Sequence, residues 1–229
     1  MKKKKSNISR LKLKVVFLVP LSVLATGLFL FLPAGSLSYW NAWLLMAALF
    51  IPYIFAIIYF LKKDPKLLER RMRFKEKEAQ QKIIVKLASF FVLIGFLIPG
   101  FDYRYGWSDI PKNLALFSAA IVFLGYLIIF FVFNENSYAA RTIRVEKSQK
   151  VITTGPYSIV RHPMYVGVIL MYLFIPLTLG SYYALIFFVP PVILIIFRIL
   201  NEEKVLLKGL KGYKAYTKKV KYRLIPGIW

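Results

Sequence analysis

The chain has 229 residues, 59% of them hydrophobic and 19% charged, with a formal net charge of +23. This balance is too apolar for a soluble domain of that size, and it excludes a disordered chain or a collagen-like fibre. With no cysteine and a single histidine, His162, it also excludes disulfides, a thiol nucleophile and a multi-histidine metal centre, so no metal is expected.

Apolar runs decide how the charge is read. A membrane crossing takes about 20 apolar residues, and runs of roughly that length occur at 15–32, 40–61, 83–98 and 114–133. From 164 to 197 no residue is charged. A single helix over that stretch would be about 51 Å long, too long for one crossing. Gly180 and Ser181 sit at its middle, so the spacing predicts two short helices in a hairpin, the second kinked by Pro190-Pro191. The fold class expected is an all-α integral membrane protein with about six transmembrane helices, a C-terminal helical hairpin and a cytoplasmic C-terminal segment.

The basic residues follow the same scheme. Lys and Arg number 7 in 1–14, 9 in 62–82, 5 in 134–162 and 8 in 201–229. The loops between hold only Arg104 and Lys112. Six crossings place all four basic segments on one side, the cytoplasmic one, with both termini there. The bilayer, not nucleic acid, is the partner this charge serves. Lys2 to Lys5 read as an anchor for the first span on anionic lipid. A cleaved signal peptide is disfavoured, because the apolar run is long and no small-x-small site follows it cleanly. Segment 62–82, with Arg70, Arg71, Arg73, Glu69, Glu76 and Glu78, reads as a solvated connector helix starting at Asp64-Pro65. Asp102, Tyr103, Arg104, Tyr105, Trp107 and Asp109 read as an external interface loop with a structural role.

The C-terminal half holds polar residues that topology does not explain. Gly155-Pro156-Tyr157 is a turn. Pro163 suits the first position of a helix, which leaves His162 extended beside free helix N–H groups and Arg161 beside it. Such an end attracts a carboxylate or phosphate, although a histidine there is also a common plain cap. Arg198 and Glu202 lie four apart on one helical face, with Glu203 adjacent. An arginine after so apolar a run either faces a polar cavity or snorkels to a surface ion pair.

Taken together, VITTGPYSIVRHPMYVG (151–167), RILNEE (198–203), GYKAYTKKV (212–220) and the ending LIPGIW resemble the isoprenylcysteine carboxyl methyltransferase family, whose C-terminal core pattern is shared with phospholipid methyltransferases. The resemblance covers about 134–229. It divides the chain into an N-terminal four-span region, 1–133, and a methyltransferase core, 134–229. It implies an S-adenosylmethionine-dependent carboxyl O-methyltransferase acting on a lipophilic, membrane-embedded acceptor, an isoprenylcysteine-like carboxylate. Carried over, Gln149, Lys150, Val151 and Ile152 match a stretch whose backbone holds S-adenosyl-L-methionine. Tyr157, His162, Pro163, Met164 and Tyr165 match further cofactor contacts. Glu202 matches a carboxylate facing the cofactor, Glu203 is its alternative, and Arg198 stands beside the acceptor as the catalytic position. The setting this implies is a bacterial cytoplasmic membrane. Two other readings stand beside it: a sterol-type membrane reductase using a nicotinamide cofactor, and a small transporter or lipid-binding membrane protein. The sequence does not fix the acceptor or the oligomeric state.

Overall fold

The structure is a computed structural model that describes residues 2–73, 76, 78–146 and 148–229, with the side chains of 2–9 outside the described residues. The anchoring role expected of Lys2 to Lys5 therefore lies outside the described residues. The described chain is helical, without a strand. The helices are α1 (Lys2–Ala34), α2 (Trp40–Lys63), α3 (Pro65–Arg71), α4 (Ala79–Tyr105), α5 (Lys112–Glu135), α6 (Pro163–Thr178), α7 (Leu185–Gly209) and α8 (Tyr213–Lys219), with one 3₁₀ turn at Gly155–Ser158. Five of them, α1, α2, α4, α5 and α7, are long and apolar enough to cross a membrane. The sixth crossing expected is the 16-residue apolar α6. At 1.5 Å per residue it is about 24 Å long.

Two sets of hydrogen bonds mark the two ends of the bundle. At one end the basic segments meet. Arg70 in α3 donates to Glu146 Oε2 at 2.9 Å, and Arg71 donates to the Ala140 carbonyl at 3.2 Å. At the other end the short loops meet. Tyr39 donates to the Leu179 carbonyl, Asn41 to the Thr178 carbonyl at 2.9 Å, and Ser181 to Asp102. The main apolar core, with Leu30, Leu45, Val122, Leu179 and Phe188, lies toward this second end. Gly180, at φ +78, makes the turn of the hairpin.

Two sequence expectations change. The polar-aromatic loop begins later than expected, because α4 continues through Pro99 to Tyr105 and stops at Gly106 in a left-handed cap. Asp102 is thus a helical residue, 1% exposed, that accepts from the Ser108 N–H, the Ser108 hydroxyl and Ser181. A buried carboxylate with three donors is a latch between the α4–α5 and α6–α7 loops. The connector is likewise not one solvated helix. Asp64 caps α3 through the Leu67 N–H, α3 ends at Arg71, and Glu76 is buried because Arg198 and the Ile143 N–H draw in its carboxylate. Within that segment Phe74, Lys75 and Lys77 lie outside the described residues. Helix α7 runs unbroken through Pro190-Pro191, so the two prolines do not divide it.

Small residues set the closest helix approach. A Cβ on Gly125 of α5 would stand 2.7 Å from the Gly167 carbonyl oxygen of α6, and one on Gly167 would stand 2.6 Å from the Gly125 carbonyl oxygen. In lipid, where helix association rests on van der Waals fit rather than on expelling water, such contacts fix the pair. α6 carries the start of the site described next, so this contact positions it. Gly125→Ala should therefore lower the unfolding free energy in detergent by about 1–3 kcal/mol, the usual cost of overpacking, read as a lower thermal midpoint than that of a control at an exposed position, Leu116→Ala.

Candidate functional site

The site is built where three segments converge. Pro163 stands at the first position of α6, with His162 as the flanking residue. The His162 N–H donates to the Arg223 carbonyl at 3.0 Å, and the Arg161 N–H to the Tyr222 carbonyl at 2.9 Å. These two bonds lay the C-terminal segment alongside the start of α6. The chain then folds back so that Trp229 covers Arg223, 5.1 Å from ring to guanidinium. Tyr213, Tyr216, Leu210 and Val220 pack with Val145, Val151 and Tyr157 into a small core beneath.

Buried charge locks this arrangement. Glu203 is 6% exposed and accepts from Arg161 Nε at 2.6 Å and Arg223 Nε at 2.8 Å, with His162 Nε2 at 3.4 Å. Arg161 Nη1 also donates to the Val220 and Lys221 carbonyls, at 2.9 and 2.7 Å. The anion-attracting role expected of Arg161 is thereby corrected: its guanidinium is spent inside the protein. The two glutamates stand in different surroundings. Glu203 is the hub of an ion cluster, whereas Glu202 lines an open cleft.

Every other residue singled out in the sequence lines that same cleft: Gln149, Lys150, Val151, Ile152, Tyr157, His162, Pro163, Met164, Tyr165, Arg198 and Glu202. Residues the sequence did not single out complete it, including Asn136, Tyr138, Arg144, Tyr213 and Tyr216. The two late tyrosines lay inside the GYKAYTKKV string, but nothing in the string says that they face a cavity. Asn136 donates to the Tyr157 hydroxyl at 2.8 Å, and burial pushes that phenol's pKa up. The Tyr213 hydroxyl and the Arg144 Nε are buried in the wall of the cleft without a hydrogen-bond partner among the described residues. Orphaned buried donors of this kind are costly and point to a bound acceptor group.

Arg198 and Glu202 are not a simple surface pair. Tyr165 stands between them: Arg198 Nε donates to the Tyr165 hydroxyl at 2.9 Å, and that hydroxyl donates to Glu202 Oε2 at 2.7 Å. The rest of the Arg198 fork is also engaged. Nη1 reaches Gln81 at 2.8 Å, and Nη2 reaches Glu76 at 3.2 Å and the Arg141 carbonyl at 2.7 Å. The Arg198 guanidinium is thus held by four protein groups. Gln81 and Glu76 come from the connector and α4, beyond the stretch that carried the family likeness. A polar glutamine just before an apolar run was the only trace of them in sequence.

A second cavity, of about 270 Å³, opens behind this wall and is lined mostly by apolar residues of α4, α6 and α7, among them Ile84, Val92, Val168 and Leu194. It shares Met164, Tyr165 and Arg198 with the cleft. A polar cleft and an apolar cavity thus meet across three side chains.

The comparisons fall on this region. Residues 113–212 match the family model of phospholipid methyltransferases. The matched stretch takes in α5, the cleft-forming loop, α6, α7 and both glutamates, and it overlaps the 134–229 region of the sequence resemblance. Among solved structures, the chain is similar to a eukaryotic intramembrane Ras methyltransferase, isoprenylcysteine carboxyl methyltransferase, at 15% identity and a TM-score of 0.48, covering 95% of this chain and 85% of that one. No curated protein matches in sequence.

The two glutamates should separate in a stability measurement. Glu203→Gln leaves the Arg161 guanidinium buried beside a neutral group, and should cost roughly 3–5 kcal/mol, as breaking a buried pair does. Glu202→Gln should move the thermal midpoint far less, since its carboxylate faces the cleft. Equal midpoints for the two variants would refute the assignment of Glu203 as the structural hub.

Proposed function

We propose that the protein is an S-adenosylmethionine-dependent methyltransferase that acts on the carboxylate of a lipophilic acceptor held in the membrane. The match to the methyltransferase family model supports methyl transfer. The observation that carries the finer reading is the meeting of a polar cleft and an apolar cavity at Met164, Tyr165 and Arg198. A water-soluble donor and a bilayer-soluble acceptor need such a junction to bring their reacting atoms together.

The residues of the cleft fit such a donor by their chemistry. Glu202, in the lining of the cleft, offers a carboxylate for a cation, with one oxygen held by Tyr165. Arg144 Nε and the Tyr213 hydroxyl offer two unpartnered donors for a carboxylate or ribose oxygen. Tyr157, Tyr213 and Tyr216 offer aromatic surface. The open space is about 100 Å³, less than typical ligand pockets of about 300–1,000 Å³, so the loop over it must give way on binding. When bound, the cofactor supplies an electrophilic methyl group on a sulfonium.

The chain's own part is binding, orientation and exclusion of water. Tyr165, fixed by accepting from Arg198 and donating to Glu202, holds the wall between donor and acceptor in one rotamer. Arg141 and Arg198 make the inner end of the acceptor cavity positive, against Glu76 as the carboxylate that lines it. That field suits an acceptor that is already an anion, so the reaction needs no general base. Methyl transfer exchanges one S–C bond for one O–C bond, and the acceptor's negative charge is neutralised with the sulfonium's positive charge. The isoprenylcysteine-like acceptor, the bacterial cytoplasmic membrane and the cytoplasmic placing of both termini belong to the same proposal. Their support is the side-by-side position of the basic segments at the cleft end.

Two measurements test it. In calorimetry with S-adenosylhomocysteine, Glu202→Gln should weaken binding by roughly 1.5–3 kcal/mol, about ten- to a hundred-fold. Unchanged affinity would misplace the cofactor. With tritiated S-adenosylmethionine and membrane lipid extract, labelled product should release volatile methanol in alkali, as a methyl ester does. Alkali-stable label would exclude the carboxylate acceptor while leaving methyl transfer standing. Arg198→Lys should lose most of the ester formation, since an ammonium cannot reach Tyr165, Gln81, Glu76 and the Arg141 carbonyl at once.

A further inference from the structure

A third cavity, of about 580 Å³, lies between α1, α2, α5 and α6. It touches the acceptor cavity along Arg71, Ile129, Arg141, Val168 and Tyr172 but is otherwise lined by different residues. Most of its wall is aliphatic and aromatic, including Val15, Leu18, Ile57, Phe60 and Phe130. Its polar groups are few: Arg71, Arg141, Ser22, Tyr53, Tyr126 and Tyr172.

Arg71 is the group that needs explaining. Only its Nη1 is engaged, by the Ala140 carbonyl at 3.2 Å and Met164 Sδ at 3.7 Å, and the guanidinium lies 4.8 Å from the Phe133 ring. Among the described residues no carboxylate pairs with it. Burial pulls its pKa down to about 10, and the neighbouring Arg141 and Arg198 push the same way. A half-buried guanidinium with no carboxylate beside it is costly, and Nε and Nη2 form the edge that takes a carboxylate at two points. Beside it, the hydroxyls of Tyr53, Tyr126 and Tyr172 make no hydrogen bond to the protein among the described residues. Positive charge and unused donors therefore gather in an otherwise oily chamber.

The chamber also faces lipid. Only 6% of the membrane-spanning stretch of α1 is buried, and Leu18 at the rim is 37% exposed. A chain from the bilayer reaches the chamber beside α1 without passing through the cleft.

We propose that this cavity is a second lipid site, separate from the acceptor's, which takes a single-chain amphiphile with a carboxylate head on Arg71 and its alkyl chain along α1 and α2. The carboxylate supplies the missing counter-charge, and the volume lies within the 300–1,000 Å³ of ordinary ligand pockets.

The test uses the full chain in detergent, without cofactor or turnover, so its outcome is independent of the methyl-transfer reading. Radiolabelled palmitate should bind saturably to the wild type. Hexadecanol, with the same chain and no charge, should compete at least tenfold more weakly. Ser22→Phe, on the little-buried α1, and Ala56→Trp both fill this cavity and touch no other, and each should abolish binding. Ala88→Trp fills the acceptor cavity instead and should leave binding intact. Gel filtration and thermal unfolding report whether each variant is folded. No saturable palmitate binding, or equal competition by hexadecanol, overturns the proposal on the wild type alone. Loss of binding in Ala88→Trp, by itself or together with the others, places the carboxylate in the acceptor cavity and overturns the separate site.

Discussion

The buried carboxylate of Glu203 organises the cleft end of the protein. It draws together Arg161 before α6, Arg223 in the C-terminal segment and the C-terminal part of its own helix, α7. Three segments far apart in sequence are joined at one point that water hardly reaches. A buried ion is retained only when its hydrogen-bonding demand is met, and here both carboxylate oxygens are used. The backbone bonds from 161–162 to 222–223 then fall into place, and the roof of the cleft follows. Without this hub the C-terminal segment would rest on backbone hydrogen bonds and apolar packing.

Around that hub the protein divides its labour between ends. The end with the short loops is densely packed and latched by Asp102, Tyr39 and Asn41. The cleft end is polar, cavity-rich and tied by charges rather than by a filled core. Cavities next to a rigid frame are what binding requires. The Gly125–Gly167 contact carries the rigidity of one end toward the other, because α6 begins at the cleft and ends in the packed core.

Much of this was legible in sequence, and the missing part has one physical cause. Apolar run length and the placing of lysine and arginine gave the spans, the hairpin and the connector's start at Asp64-Pro65. The family resemblance pointed to residues 149–152, Tyr157, residues 162–165, Arg198 and Glu202, and these line one cleft. Three-dimensional pairing was not legible. No pattern reveals that Arg161 is consumed by Glu203, that Tyr165 intervenes between Arg198 and Glu202, or that Glu76 and Gln81 cross more than a hundred positions to hold Arg198. The same is true of Asp102, whose helical position depended on Pro99 being accommodated inside α4. Sequence marks which residues are polar against expectation; only the fold says what they face.

The brevity of α6 has a consequence for where a reaction can happen. At about 24 Å it falls short of the roughly 30 Å of hydrocarbon it stands in. If its far end sits level with its neighbours' ends, its near end lies beneath the headgroup plane, and the cleft floor is countersunk into the bilayer. An amphiphile reacting there keeps its tail immersed. Hauling that tail into water would cost about 0.8 kcal/mol for each methylene, a penalty that would grow with every carbon. A recessed floor removes the dependence, so chains of different length arrive at the same depth with the same ease.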